Sequence, residues 1–241
     1  MRKIIISAAG SGKRFIEYGI NTPKYKIIAN KKSLIYWALI SLKNFFKYEF
    51  IFIFRKNNYE EKFIKSELQE LGIVNYKIIL LDHETSGQAT TIFLAQDLLN
   101  DDDEILIYNV DTHINYNSLN EDIFQNDGCI VTTNVPGNNW SFARVENGKV
   151  IEVSEKIKIS DHASVGLYYF KKWIDFKNIF INHQKDIINK YKEVYVCPMY
   201  QYLINDNKIV KIFEINNKDF VCLGTPQEVN LFDPKWEINN K

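Results

Sequence analysis

Cysteine is scarce in this chain of 241 residues: there are three, Cys129, Cys197 and Cys222, far apart and without a C-x-x-C pair. An odd, scattered set speaks against a disulfide framework and for buried or incidental thiols in a reducing, cytoplasmic setting. A charge surplus is also missing, with 30 Lys and Arg against 30 Asp and Glu, which argues against a nucleic acid as partner. Long apolar runs are absent. The longest early one, Ile4 to Ala9, is too short for a signal segment or a membrane span. No internal repeat and no low-complexity linker interrupts the chain. What is present is ordinary for a soluble globular protein: 46% hydrophobic and 25% charged residues, enough for one core. The length suits one large α/β domain over residues 1–241, with or without a small insertion.

Apolar runs alternate with helical patterns. Lys3–Ser7, Phe50–Phe54, Lys77–Leu81 and Ile105–Asn109 read as buried strands. Between them, Ser33 caps a helix that turns Leu34, Trp37, Ala38 and Leu42 inward. Tyr59, Phe63, Leu68 and Leu71 mark a second helix, and Ile92, Phe93, Ala95 and Leu99 a third. This alternation predicts a Rossmann-like, doubly wound, mostly parallel sheet with right-handed crossovers. The second half is more mixed. Phe142–Val145 and Val150–Val153 flank an Asn147-Gly148 hairpin turn, and Ser164–Phe170 reads as another strand. Helices are expected over Ile174–Ile181 and Met199–Ile204, and Thr225-Pro226-Gln227-Glu228 reads as a capping box opening a last helix.

The densest chemistry lies in the first 26 residues, where a strand runs into Ala8-Ala9-Gly10-Ser11-Gly12-Lys13-Arg14, followed by Pro23-Lys24-Tyr25-Lys26. Small residues let backbone N–H groups approach a ligand closely, and Lys13, Arg14, Lys24 and Lys26 supply charge for phosphates. One residue between Gly10 and Gly12, with Arg14 after Lys13, excludes the P-loop, and Phe15 excludes the dinucleotide fingerprint. Ligands of such sheets sit at the carboxyl ends of the strands. Asp111, in Tyr108-Asn109-Val110-Asp111-Thr112-His113, emerges there beside the loop and is the best Mg²⁺ candidate; the plain alternative is an Asp that ends a strand and caps a turn. His113 could orient Asp111, touch phosphate or merely pack.

Together, AAGSGKRF and PKYK resemble the opening of the GT-A-like nucleotidylyltransferases, the pyrophosphorylase family. The resemblance continues through Tyr195–Tyr200 and Leu223–Glu228. It implies a nucleotide-binding half over about residues 1–135 and a smaller, mixed acceptor-binding half over 136–241. On the nucleotide side it implies Ala8, Ala9, Gly10, Ser11, Gly12, Lys13 and Asn109, with Gly87, Gln88 and Ala89 passing over the base. Gln88 offers the donor and acceptor that base reading needs, while Ser86 alternatively reads as a plain helix cap. Glu155 and Lys156 match a pair that faces the acceptor phosphate, with a solvated hairpin edge as the competing reading. Gly166 lies on the strand that lines the acceptor pocket. One departure stands out: many members place Asp where this chain has Cys222, which puts a second metal ligand in doubt.

The implied reaction is transfer of a nucleoside monophosphate from an Mg²⁺-bound NTP to a phosphorylated acceptor, with release of pyrophosphate. Arg14 and Lys24 are the expected catalytic cations. The Ala8-Ala9-Gly10 opening looks more like cytidylyltransferases, and within the group the chain looks most like capsule-locus enzymes, one of which takes L-glutamine phosphate toward a phosphoramidate decoration. The expected partners are therefore CTP and a small phosphorylated acceptor, with no nucleic acid and no membrane; a homo-oligomer stays open. Sugar 1-phosphate and phosphocholine are alternative acceptors. A GT-A glycosyltransferase would share the sheet and the acidic site but has no need of the triphosphate loop, and a non-catalytic sensor has no need of Lys24 or Asp111.

Overall fold

The computed structural model describes residues 1–240. Its strands are β1 (Arg2–Ala8), β2 (Ile28–Ala29), β3 (Lys32–Ser33), β4 (Glu49–Arg55), β5 (Tyr76–Leu81), β6 (Glu104–Asn109), β7 (Thr112–Ile114), β8 (Gly128–Thr133), β9 (Ser141–Glu146), β10 (Lys149–Glu155), β11 (Ala163–Phe170), β12 (Val210–Glu214) and β13 (Phe220–Cys222). The helices are α1 (Lys13–Glu17), α2 (Leu34–Ser41), α3 (Glu61–Leu71), α4 (Gln88–Phe93), α5 (Trp173–Tyr191), α6 (Met199–Asn205) and α7 (Pro226–Phe232).

Strands β5, β4, β1 and β6 lie side by side and all parallel, joined by three crossovers through helices. Beyond β6 the sheet turns antiparallel: β11 runs against β6, and β8 and β9 each pair with β11, giving nine strands in all. One sheet therefore runs through both halves of the chain. The mostly parallel α/β architecture expected from the strand–helix alternation is what forms.

Period-two alternation explains the two cores. On one face Ile4, Ile6, Phe50, Phe52, Phe54 and Leu106 pack against α2 and α3. On the other, Ile5, Ile51, Ile53, Ile105 and Ile107 pack against α4, α5 and α6. Because the sheet is covered on both faces, its strands read as continuous apolar runs rather than alternating ones. A third, smaller core joins Phe15, Ile20, Ile27, Leu34, Leu223, Val229 and Trp236, tying the N-terminal loop region to α7.

Local signals hold with a few revisions. Ser33 accepts a hydrogen bond from the Tyr36 amide at 3.1 Å and caps α2, whose buried face also includes Ile35 and Leu39. Asn147 and Gly148 both take positive φ, as the two-residue hairpin turn requires. Helix α5 runs ten residues further than expected, to Tyr191, because Ile187 continues its buried stripe. Helix α4 instead stops at Phe93, and a 3-10 turn over Gln96–Leu98 carries the chain on toward Leu99.

At the base of β1 and β6, Asp103 is 2% exposed and accepts hydrogen bonds from the Met1 ammonium and the Asn100 amide, each at 2.8 Å, with Lys3 Nζ at 3.5 Å. Burial alone would push this carboxyl up; the ammonium, the amide and Lys3 override it and hold it below the usual range. Asp103→Asn should therefore destabilise the protein by about 2 kcal/mol near neutral pH. The folded form binds this proton less readily than the unfolded chain, so the contribution is complete above about pH 4 and fades as pH falls through the folded value. Urea melts of both proteins between pH 3 and 7 check this: the gap should close in acid.

Candidate active site

The loop after β1 puts Ala8 and Ala9 in the buried layer and Gly10 in solvent. Gly12 adopts φ of 68°, a left-handed conformation suited to glycine, and so reverses the chain into α1. Lys24 closes over this turn: a Cβ on Gly12 would sit 3.6 Å from the Lys24 Cβ. The 3-10 turn Lys24–Lys26 follows Pro23, and the buried Tyr25 anchors it by donating to the Asn58 carbonyl at 2.6 Å. The loop and Lys24 thus form one wall.

Asp111 forms the facing wall. It leaves the end of β6 just before β7, which pairs antiparallel with β13 so that Cys222 lies opposite Thr112. The Asp111 carbonyl accepts from the Leu223 amide at 2.7 Å, locking the C-terminal segment to it. Lys24 Nζ donates to Asp111 Oδ2, and the two side chains remain 21% and 27% exposed. Burial pushes the Asp111 carboxyl up, but Lys24, with help from Arg14, more than compensates and holds it below the ordinary range. The result is an ionised carboxylate, open to solvent, with an ammonium resting on it.

The other predicted cations separate. Arg14 is exposed and forms no ion pair among the described residues, yet lies close enough to act on Asp111. Lys13 is 79% exposed and sits 3.8 Å from Glu17, pointing along α1. Lys26 pairs with Glu60. His113 packs: its Nδ1 lies 3.1 Å from the Trp37 carbonyl and its ring 5.0 Å from that indole, and burial pushes its pKa down.

Gln88, Asn109 and Gly166 come together. Gln88 Nε2 donates to Asn109 Oδ1 at 2.7 Å. Gly166, with φ of 81°, backs onto the Asn109 amide so closely that a Cβ there would collide with it. Gly87, not Ser86, occupies the cap position of α4; Ser86 Oγ pairs instead with Thr90 Oγ1 at 2.8 Å. A Cβ on Gly87 would come within 2.5 Å of the Val194 amide nitrogen, and the Ala89 amide donates to the Val194 carbonyl at 2.9 Å. The loop is therefore stapled to residues 193–195.

The hairpin β9–β10 rises from this edge and returns, so that Glu155 stands opposite Ser141 and Phe142 opposite Ala163 of β11. Glu155 is 5% exposed and takes a hydrogen bond from Ser141 Oγ; burial pushes its pKa up. Lys156, at φ of 58°, turns away from it and donates to Tyr195 Oη at 2.5 Å. Within the expected Glu–Lys pair, Lys156 is the exposed partner and Glu155 the buried one.

Two features escaped the sequence reading. Tyr195 holds Lys156, a long-range contact with no local signal. Glu228 was read as the return half of a capping box, and only the first half forms: the Glu228 amide donates to Thr225 Oγ1 at 3.2 Å, while Glu228 Oε2 is buried with no hydrogen-bond partner. Asp219, near Cys222 in sequence, lies at the other end of the β7–β13 pair beside Asn115. All three cysteines are free, and burial raises their thiol pKa values. Among the described residues no group of three or more His, Cys, Asp or Glu side chains is arranged to hold a metal, and no helix is long and apolar enough to cross a membrane.

The chain matches the nucleotidyl transferase family over residues 3–195 and belongs to it. Among solved structures it is similar to a nucleoside-diphosphate-sugar pyrophosphorylase from Vibrio cholerae RC9, with 29% identity over 96% of this chain and 99% of that one, and a TM-score of 0.86. It also shares its fold with the inositol-1-phosphate CTP transferase of T. maritima, at 16% identity and a TM-score of 0.74, covering 99% and 94% of the two chains. A comparison with curated proteins gives no match. The protein is a nucleotidyltransferase.

Gly166→Ala should displace Asn109 and, through it, Gln88. The family resemblance implies that Gln88 and Asn109 position the nucleotide, and a shift of about 1 Å at such a group costs up to about a hundredfold in rate, so kcat/KM for the nucleotide should fall by roughly that factor. Steady-state kinetics check this; an unchanged kcat/KM would take the Gln88–Asn109 pair out of the nucleotide path.

Proposed function

We propose that the protein transfers CMP from CTP to a small phosphorylated acceptor and releases pyrophosphate. The observation that carries this reading is the facing of two walls at the carboxyl edge of the sheet: Lys24 and the Ala8–Arg14 loop on one side, the ionised Asp111 on the other. The residues suit Mg²⁺: a solvent-accessible carboxylate already carries a cation, the Lys24 ammonium, at the oxygen a metal would take, and Mg²⁺ needs only one or two protein carboxylates beside phosphate oxygens. Asp111 is the residue that would hold it. Bound there with the triphosphate, Mg²⁺ would neutralise phosphate charge.

The protein's own part is positioning and charge. The acceptor phosphate oxygen attacks the α-phosphorus, the bond from that phosphorus to the bridging oxygen breaks, and pyrophosphate leaves in line with no covalent intermediate on the enzyme. The loop amides and Arg14 bind the departing pyrophosphate. Lys24 moves from Asp111 to the α-phosphate, where negative charge builds up. Gln88, steadied by Asn109, reads the base edge. The Ala8-Ala9-Gly10 opening supports a pyrimidine, and the fold shared with a CTP transferase agrees with that choice.

On the acceptor side, Lys156 is the exposed cation above the hairpin and meets the acceptor phosphate. An amino-acid-derived phosphate, L-glutamine phosphate first, is the acceptor we favour, with Asp161 near its ammonium end: Asp161 is exposed and pairs with Lys158 at 2.8 Å. A sugar 1-phosphate, which the Vibrio relative's description points to, is the second reading.

Pyrophosphate release measured with CTP, UTP, dTTP, ATP and GTP against L-glutamine phosphate, phosphocholine and sugar 1-phosphates tests both choices. CTP with L-glutamine phosphate should be fastest. A purine triphosphate in first place would overturn the nucleotide assignment, and glucose 1-phosphate in first place the acceptor assignment. Lys24→Ala should lower kcat by about two to three orders of magnitude, the usual loss for one contact to developing charge; a kcat within about threefold of the parent would remove Lys24 from the α-phosphate.

A further inference from the structure

A second carboxylate converges on the same spot as Asp111. Gly224 follows β13, and a Cβ placed on it would lie 3.2 Å from Asp111 Oδ2, 3.4 Å from Glu228 Oε2 and 3.7 Å from the Cys222 sulfur. Three heteroatoms from three different segments thus surround one point that the missing glycine side chain leaves open. Asp111 Oδ2 carries the Lys24 ammonium. Glu228 Oε2, by contrast, is buried and accepts nothing. A buried carboxylate oxygen without a donor is costly, and a cation at that position relieves it.

The thiol between them is a poor candidate for a hard cation. Its sulfur is a soft donor, better suited to Zn²⁺ or Cu⁺ than to Mg²⁺. Oxygen is in any case what Mg²⁺ and Mn²⁺ select over sulfur. Glu228 reaches the spot because Thr225 caps α7 and the small core of Phe15, Leu223, Val229 and Trp236 clamps that helix beneath the nucleotide loop. Its direction is set by packing that serves the loop itself.

We propose that Glu228 is the second carboxylate of the divalent-cation site that Asp111 begins, taking over across one helical turn the place that Cys222 cannot fill. The inference rests on the transfer reading for the cation's purpose, but not for its presence. With Lys24 drawn off to phosphate, Asp111 and Glu228 face each other across the open space beside Gly224, and the two carboxylates hold one cation between them. Without the cation, Lys24 neutralises Asp111 alone, and the Glu228 carboxylate has only the Cys222 thiol beside it, its Oε2 accepting no hydrogen bond.

Mn²⁺ is the probe, titrated into the full-length protein without nucleotide and followed by electron paramagnetic resonance of the free ion, alongside melting temperature. The parent should bind one Mn²⁺ and melt higher for it. Glu228→Gln should raise the Mn²⁺ dissociation constant at least tenfold and abolish the Mn²⁺-induced rise, while its metal-free melting temperature stays level or increases. Asp111→Asn should have the same effect on Mn²⁺. Glu228→Ala provides the same comparison should the glutamine variant fold poorly. An unchanged dissociation constant in the Glu228 variants, or no saturable binding in the parent, overturns the proposal. A lowered melting temperature with the Mn²⁺ effect intact does so too, by assigning Glu228 to the helix cap. Loss of Mn²⁺ binding in the variants, alongside a parent that binds Mn²⁺ but releases no pyrophosphate from any triphosphate, would leave the cation site standing and the transfer reading refuted.

Discussion

The ion pair between Lys24 and Asp111 is the contact on which the rest of the site depends. It joins the two walls of the cleft and holds the partly buried Asp111 carboxyl below its ordinary range. Two opposite charges kept partly hydrated can exchange partners cheaply: each can leave the other for a ligand of its own, the ammonium for phosphate and the carboxylate for a metal. A fully buried pair would have paid too much in desolvation to do so. The sheet supplies the precision, because β1 and β6 are neighbours in register, and their carboxyl ends deliver the loop and Asp111 to one edge.

Around that pair the molecule is held by contacts that couple the two halves of the chain. Gly87 presses against Val194, Tyr195 takes Lys156, and Gly166 backs onto Asn109, which in turn steadies Gln88. The segments proposed to meet the base and the acceptor therefore share a scaffold of close backbone approaches, at two positions that tolerate only glycine. The small core under the Ala8–Arg14 loop plays the same part for the C-terminal helix, bringing Glu228 and Asp111 to the same side of Gly224.

Much of this was legible in the sequence because it is local. The apolar runs gave β1, β4, β5 and β6, and Asn147-Gly148 gave the hairpin; the spacing of Gly10, Gly12 and Arg14, which excludes a P-loop, is what the proposed phosphate loop rests on. Helix α5 is longer than its apolar pattern predicts because its buried stripe breaks after Phe180 and resumes at Ile187. The role of Glu228 was hidden for a different reason. Its spacing from Thr225 satisfies a local capping rule, and only the pairing of β13 with β7 carries it to Asp111. In the same way, nothing near Lys156 in sequence announces Tyr195, and nothing in Glu155-Lys156 tells which of the two is buried.

On this reading, Lys24 and Asp111 part when nucleotide binds. A crystal structure with Mg²⁺ and a non-hydrolysable CTP analogue tests it most directly. Lys24 Nζ should lie within hydrogen-bond distance of an α-phosphate oxygen and be released from Asp111, whose carboxylate then faces the metal. Lys24 still resting on Asp111, with the triphosphate bound in the loop, would contradict it.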